Sequence, residues 1–166
     1  MTRAIIIGAP RSGSGKTSVT IGILRALARR GIKVRGAKSG PDYIDPGFHT
    51  AATGLSGVNL DSWAMSPDLL NALAGNATED ADFIFLESAM GLFDGIPAGQ
   101  GRTGSAADLA RLYHLPVLLV LDVSGQSTPA GPRAQPFWNQ PPPGGRGGEV
   151  GTPERPAPPP PAEINN

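Results

Sequence analysis

The segment APRSGSGKTSV, residues 9–19, carries most of the information about the fold. It follows the pattern G-x-x-x-x-G-K-[ST], whose backbone amides surround phosphate oxygens while the lysine reaches the terminal phosphates and the hydroxyl binds Mg²⁺. Gly15, Lys16 and Thr17 keep the functional half of this pattern, but Pro10 stands where the first glycine is expected. Because that first position turns the chain rather than donating to phosphate, we predict that Pro10 costs flexibility and no contact.

The flanking sequence gives this loop the context that a nucleotide site requires. RAIIIGA (residues 3–9) is typical of a buried strand, and KTSVTIGILRALARRG (residues 16–31) is typical of an amphipathic helix. A loop that leads into a helix N-terminus favours anions. We therefore predict that ATP is bound by Arg11, Ser12, Gly13, Ser14, Gly15, Lys16, Thr17 and Ser18.

The role of Arg11 has two readings. It lies five residues before Lys16, where some proteins with a variant loop carry a second lysine that reaches phosphate across a dimer. Arginine could do similar electrostatic work in a homodimer. The other reading is a loop charge that faces solvent.

The rest of the patterned chain alternates strands and helices. IKVRGAKSG (residues 32–40) and DFIFLESAMGLFDG (residues 82–95) contain the second and third strands, and LPVLLVLDVSG (residues 115–125) is expected to be a fourth, buried on both faces. Residues 41–65 are predicted to form a long loop with one helical turn. This order predicts an α/β, three-layer P-loop fold with a mostly parallel sheet.

Two helices are also predicted between these strands. SPDLLNALAGN begins with Ser66 as N-cap and Pro67 at the first position, and Gly75 is expected to end it. SAADLARLYH (residues 105–114) is the other.

Asp42 and Asp45 follow the second strand and Glu87 ends the third, at the edge where the ligand crevice of such a sheet lies. Asp42 and Glu87 are predicted to bind Mg²⁺ together with Thr17, since such sites place carboxylates opposite the phosphates. Asp45 precedes a proline, so a turn and a metal role both remain open. Tyr43 and Asp94 are candidate substrate contacts, and Lys16, Asp42, Glu87 and Asp94 are predicted to be the catalytic residues.

Composition excludes several classes of function. The 166 residues have zero formal net charge and no cysteine, which argues against a general nucleic-acid binder and removes disulfides, thiolate metal sites and cysteine nucleophiles. No stretch approaches the roughly 20 apolar residues of a membrane span, and the apolar run at the N-terminus is too short for a signal peptide. We expect a cytoplasmic protein without a membrane partner. His49 and His114 look isolated and are interpreted as structural.

The chain changes character after residue 127. Residues 128–166 contain 12 prolines and 6 glycines in 39 positions, too many breakers for a packed core. We expect one partial P-loop ATP-binding domain at residues 1–127, a disordered low-complexity tail at 128–166, and no further domain. The abrupt switch suggests a frameshift, which sequencing the DNA in all three frames would test.

Three segments together resemble the N-terminal synthetase domain of cobyrinic acid a,c-diamide synthases, and most closely those acting on hydrogenobyrinic acid. They are APRSGSGKTSVTIGILRAL (residues 9–27), KSGPDYIDPGFHTAATGLSGVNLDSWAM (residues 38–65) and FLESAMGLFDG (residues 85–95). The resemblance covers about residues 3–127 and extends the fold expectation to a dethiobiotin synthetase-like one.

The resemblance implies ATP-dependent amidation of the a and c carboxylates of a corrinoid through an acyl phosphate, with ammonia supplied by glutamine. It places Thr17, Asp42 and Glu87 at Mg²⁺ and phosphate, and Tyr43 and Asp94 near the corrinoid carboxylate. The family's C-terminal glutamine amidotransferase domain uses a cysteine, which this chain lacks. The family also continues after SGQS (residues 124–127) with a helix and further strands of the same sheet. We therefore expect a truncated synthetase domain that binds ATP–Mg²⁺ weakly and amidates poorly or not at all, even with free ammonia.

Two other functions stay open at the level of sequence. A non-catalytic partition-type ATPase switch would dimerise around ATP and draws on Arg11 alone. A dethiobiotin synthetase-like ligase would share the fold and the activated-carboxylate chemistry, but it leaves the segment GPDYIDPGFH, residues 40–49, unexplained.

Overall fold

The computed structural model describes residues 3–124. Five parallel strands form one sheet in the order β3-β2-β4-β1-β5. The elements are β1 Arg3–Gly8, α1 Lys16–Arg29, β2 Val34–Ser39, α2 Asp45–Thr53, β3 Val58–Asn59, α3 Pro67–Thr78, β4 Phe83–Ser88, α4 Ala106–Leu112 and β5 Val117–Leu119. The predicted α/β fold with a parallel sheet is confirmed. The predicted tail at residues 128–166 lies outside the described residues.

The sheet is covered on both faces, which gives the three predicted layers. Successive residues of a strand point to opposite faces. Ile6 and Leu86 accordingly pack with Leu70 of α3 and Leu109 of α4. The opposite face is made by a second set, in which Ile7 and Phe85 pack with Leu24 of α1 and Ala52 of α2.

The segment 41–65 departs from its prediction as a loop with one helical turn. It contains the nine-residue helix α2, with proline in its first turn and Gly54 at its C-cap in the left-handed region at φ 80°, followed by the short strand β3. The buried side of α2 consists of His49 and Ala52, while Phe48 is exposed. An apolar stripe was therefore missing from the sequence, and hydrophobic periodicity could not reveal the helix.

Two other boundaries were wrong. Ser66 caps α3 as predicted, its hydroxyl accepting from the Leu69 amide at 3.3 Å, but the helix continues through Gly75 to Thr78. Burial of Ala77 in the final turn helps to offset the helical cost of glycine, about 1 kcal/mol.

The fourth predicted strand is also shorter and more exposed than expected. It is β5, which within residues 3–124 pairs only with β1 and lies at the edge of the sheet. Val117 and Leu118 are 39% and 40% exposed, so burial on both faces is not observed there.

Candidate nucleotide-binding site

The loop between β1 and α1 has the shape that its glycines predict. Gly13 and Gly15 have φ of 74° and 83°, in the left-handed region that side chains rarely adopt. The Ser14 hydroxyl donates to the carbonyl of Arg11 at 3.1 Å. Gly15 is the N-cap of α1 and has no side chain with which to cap it, so the amides of the first turn keep their capacity to bind an anion.

Lys16 begins α1 and curls back over the loop. Its Nζ donates to the carbonyl oxygen of Arg11 at 3.3 Å, and the residue is buried. Burial lowers the pKa of the Lys16 ammonium, and the nearby Glu87 carboxylate opposes that effect. An anionic ligand at this position would stabilise the charged ammonium and so raise the pKa of Lys16.

A cavity of about 480 Å³ lies directly over the loop. Its lining brings together most of the predicted site: Ser12, Gly13, Gly15, Lys16, Thr17, Ser18, Asp42 and Glu87, together with Lys38, Asp45 and Ala89. The volume is within the range of small-ligand pockets.

The two predicted loop residues absent from that lining, Arg11 and Ser14, line a neighbouring cavity of about 210 Å³. The Arg11 guanidinium is mostly exposed and forms an ion pair at 3.3 Å with Asp122, which follows β5 in the same chain.

Oxygen donors converge on the hydroxyl of Thr17. Its Oγ1 lies 2.5 Å from Glu87 Oε1 and 3.3 Å from Asp45 Oδ2, and its single hydrogen can serve one of them at a time. Hydroxyl and carboxylate oxygens are the ligands that Mg²⁺ prefers, and protein sites usually complete its shell with phosphate oxygens and water. No three His, Asp or Glu residues within residues 3–124 are arranged to hold a metal by themselves. The donor set therefore fits Mg²⁺ in company with a nucleotide.

Asp45 thus belongs to the site as well as to a helix start. Its carboxylate faces Thr17 and Lys38, and the residue begins α2. Its position before a proline thus marks the start of a helix, and its carboxylate lines the cavity.

Lys38 is the main residue to which the sequence assigned no role. It is the penultimate residue of β2 and pairs with Glu87 of β4. Its buried Nζ donates to the Asp45 carboxylate and to Glu87 Oε1 at 3.0 Å, and it forms an ion pair with Asp42 Oδ2 at 3.5 Å. Burial alone would lower its pKa, but the Asp45 and Glu87 carboxylates raise the pKa of Lys38 overall. The sequence signal for its role was its position near the end of a strand, the same position that marked Glu87 on the neighbouring strand.

The two predicted metal carboxylates are held in their ionised form. Burial would raise the pKa of Glu87, but hydrogen bonds from His49, Thr17 and Lys38 lower it below its ordinary value. Burial likewise opposes ionisation of Asp42. The amides of Ile44 and Asp45, which donate to its Oδ1 at 2.9 and 3.0 Å, and the nearby Lys38 lower the pKa of Asp42.

His49 is not isolated, contrary to the interpretation from sequence. Its Nε2 lies 3.1 Å from Glu87 Oε2, and both side chains are buried. The two residues are 38 positions apart, so only the fold brings them together.

The predicted substrate residues lie outside the lining of the cavity. Tyr43 is 92% exposed beside it. Asp94 accepts a hydrogen bond from the amide of Gly91 at 2.8 Å. A Cβ on Gly91 would lie 2.8 Å from both Asp94 Oδ2 and the Pro10 carbonyl oxygen, so this loop packs closely against the phosphate-binding loop.

The family comparison agrees with this geometry. The family model of the CobQ/CobB/MinD/ParA nucleotide binding domain, CbiA, matches residues 5–115. The chain belongs to this family. It is therefore a nucleotide-binding domain. The matched residues include the phosphate-binding loop, Lys38 and the three carboxylates that line the cavity, Asp42, Asp45 and Glu87.

Curated relatives are also similar. The hydrogenobyrinate a,c-diamide synthase of Mesorhizobium japonicum is 84% identical over 135 residues, which make up 81% of this chain and 31% of that protein. The synthase of the same name from Agrobacterium fabrum is 74% identical over 135 residues, with the same coverage of each chain. That of Rhodobacter capsulatus is 52% identical over 141 residues, or 84% of this chain and 32% of that protein.

These matches confirm the resemblance to the a,c-diamide synthases of the hydrogenobyrinic acid type. The chain spans about a third of the length of the curated relatives it matches.

Proposed function

We propose that this domain binds ATP with Mg²⁺ and phosphorylates the a and c carboxylates of a hydrogenobyrinate-type corrinoid for amidation. The observation that carries the proposal is the convergence of Lys16, Thr17, Asp42 and Glu87 on one cavity over the phosphate-binding loop. The names of the similar synthases support the choice of substrate.

The nucleotide would be held by residues 11–18 at the start of α1. Lys16 is the residue placed to exchange its bond with the Arg11 carbonyl for a phosphate oxygen. Such an exchange replaces a neutral acceptor by a charged one. The stronger, charged hydrogen bond offsets the cost of desolvating the Lys16 ammonium. Thr17, Glu87, Asp42 and Asp45 would hold Mg²⁺, which when bound neutralises charge on the phosphates.

The chemistry must turn a poor electrophile into a good one. A carboxylate oxygen of the substrate bonds to the γ-phosphorus of ATP, and the bond from that phosphorus to the bridging oxygen of ADP breaks. Ammonia, free or released from glutamine, then forms the C–N bond as phosphate departs with the original carboxylate oxygen and a proton is lost. Lys16 and Lys38 supply positive charge beside the phosphoryl group as its charge is redistributed.

The route of oxygen tests this proposal directly. Hydrogenobyrinic acid labelled with ¹⁸O in its carboxylates is incubated with the chain, ATP, Mg²⁺ and ammonium, and inorganic phosphate is analysed by mass spectrometry. We expect ¹⁸O in phosphate at whatever turnover the chain supports, with none when Lys16 is replaced by alanine. ADP formation without label in phosphate would contradict the acyl phosphate step.

The wider setting of the domain is part of the same proposal. We place it in the cytoplasm, with a homodimer as the assembly to be tested by light scattering. No helix within residues 3–124 is long and apolar enough to cross a membrane.

A further inference from the structure

His49 is a fully buried side chain that the proposed reaction does not use. It lies on α2, which packs against β2 and α1, and it shows no exposed surface. Its Nε2 is 3.1 Å from Glu87 Oε2. Its Nδ1 is buried and has no hydrogen-bond partner within the described residues.

These contacts determine which ring nitrogen carries the proton. Glu87 is ionised and can only accept, so Nε2 of His49 must donate. An N–H group buried at Nδ1 without an acceptor would cost more than an unpaired lone pair there. These contacts favour the Nε2–H tautomer, with its donor directed at Glu87.

The ring is also fixed in space by a glycine. A Cβ on Gly36 of β2 would lie 2.5 Å from both Cβ and Cγ of His49 and 2.7 Å from its Nδ1. Gly36 pairs with Phe85, two residues before Glu87 on β4. The absence of a side chain at position 36 lets α2 press the imidazole against the sheet next to the strand that carries Glu87.

The two oxygens of Glu87 consequently face different groups. Oε1 meets Thr17 at 2.5 Å and Lys38 at 3.0 Å on the side of the cavity, while Oε2 is occupied by His49. A carboxylate held at one oxygen cannot rotate freely, so Oε1 is kept facing Thr17. A hydrogen bond from His49 also leaves Glu87 ionised with only one oxygen committed to the cavity.

We propose that His49 is a positioning residue that orients Glu87 toward the metal–nucleotide site and so links that site to α2. The proposal rests on the function proposed above, because it presupposes Mg²⁺ beside the nucleotide. Asp42 and Tyr43 lie three and two residues before α2, and Asp45 begins it. A shift of α2 would therefore move these residues and the orientation of Glu87 together.

The test separates metal binding from nucleotide binding and from folding. Binding of a fluorescent ATP analogue is measured in EDTA and across a Mg²⁺ titration for wild type, His49→Asn, His49→Gln and Gly36→Ala. Glutamine places an amide donor near the position of Nε2, whereas asparagine falls short of it. His114→Asn is the matched control, because His114 is exposed with φ 52°, a conformation that asparagine tolerates.

We expect His49→Asn and Gly36→Ala to weaken the apparent Mg²⁺ affinity by about 10- to 100-fold, the usual loss for a group that orients a metal ligand. Nucleotide binding in EDTA should be unchanged, His49→Gln should recover most of the Mg²⁺ affinity, and His114→Asn should match wild type. Should His49→Asn fail to fold, His49→Gln and Gly36→Ala still give the comparison.

Two results would overturn the inference. If wild type shows Mg²⁺-dependent binding and His49→Asn retains its Mg²⁺ affinity, the positioning role is wrong while the proposed function stands. If wild type gains nothing from Mg²⁺, both fail together. ¹⁵N NMR of the ring adds a readout that needs no ligand, since an Nδ1–H tautomer could not donate to Glu87.

Discussion

Lys38 and Glu87 form the centre of a buried charge network, and desolvation of these charges on folding costs free energy. Both side chains are buried, and isolated charges in such surroundings are costly. Lys38 meets three carboxylates, and Glu87 meets Thr17 and His49 as well. Removal of any one of these groups would therefore leave another buried charge without its partner. A ligand that brings phosphate and Mg²⁺ must replace some of these contacts.

The lowered pKa of Glu87 predicts that the free energy of unfolding falls as the solution becomes acidic. The folded pKa lies below the ordinary value of 4.5, so the native state releases its proton more readily than the unfolded chain. This contribution is complete above pH 4.5 and is lost as the pH falls through the folded pKa. In EDTA, Glu87→Gln should be less stable than wild type at pH 7 and should lose less stability on acidification, as measured by urea unfolding at each pH. Parallel pH profiles for the two proteins would contradict this account.

Single residues were predictable where a short motif or a strand end marked them. Lys16 and Thr17 were predicted from the loop pattern, Asp42 from its place after a strand, and Glu87 from its place near the end of one. Lys38 and His49 acquire their roles through contacts with Glu87, which lies 49 and 38 positions away. Without pairing of β2 with β4, no local pattern reveals such contacts.

At the scale of elements, the N-cap of α3 gives a separate prediction. The Ser66 hydroxyl accepts from the Leu69 amide at 3.3 Å, one of the amides at the helix start without an intrahelical partner. Ser66→Ala should lower the free energy of unfolding by about 1 kcal/mol. Chemical denaturation measures the loss, and Ser56→Ala in an exposed loop is the matched control. Equal losses in the two variants would show that the cap contributes nothing specific.

Elements with a strong hydrophobic periodicity or with clear capping and turn residues at their ends were predicted well, and elements with neither were not. β1, α1 and β4 follow apolar patterns that any packed sheet requires. α2 was missed because its buried side holds a histidine and an alanine rather than an apolar stripe. The end of α3 was misplaced because packing of Ala77 outweighed a local glycine signal.

At the scale of the whole molecule, the exposed edge of the sheet predicts self-association. Within residues 3–124, β5 presents Val117 and Leu118 at an edge beyond which no strand is described. Apolar edges of this kind pair with other chains, and lysine on an edge strand opposes such pairing. Val117→Lys should lower the association measured by sedimentation velocity across protein concentrations. Leu112→Lys is the control, since it replaces a similarly exposed apolar side chain that belongs to the helix α4 and not to a strand. Equal effects would assign association to general hydrophobicity instead.

The central claim is that the cavity over the phosphate-binding loop is a Mg²⁺-dependent ATP site built around Lys16. Calorimetric titration of ATP into wild type, Lys16→Ala and Lys33→Ala, each with Mg²⁺ and with EDTA, tests it most directly, with the exposed Lys33 as control. Wild type and Lys33→Ala should bind with one site and more tightly with Mg²⁺. Loss of the charged hydrogen bond in Lys16→Ala should cost about 1.5–3 kcal/mol, or roughly 10- to 100-fold in Kd. Binding that is indifferent to both Lys16 and Mg²⁺, or no binding by the wild-type chain, would contradict the account.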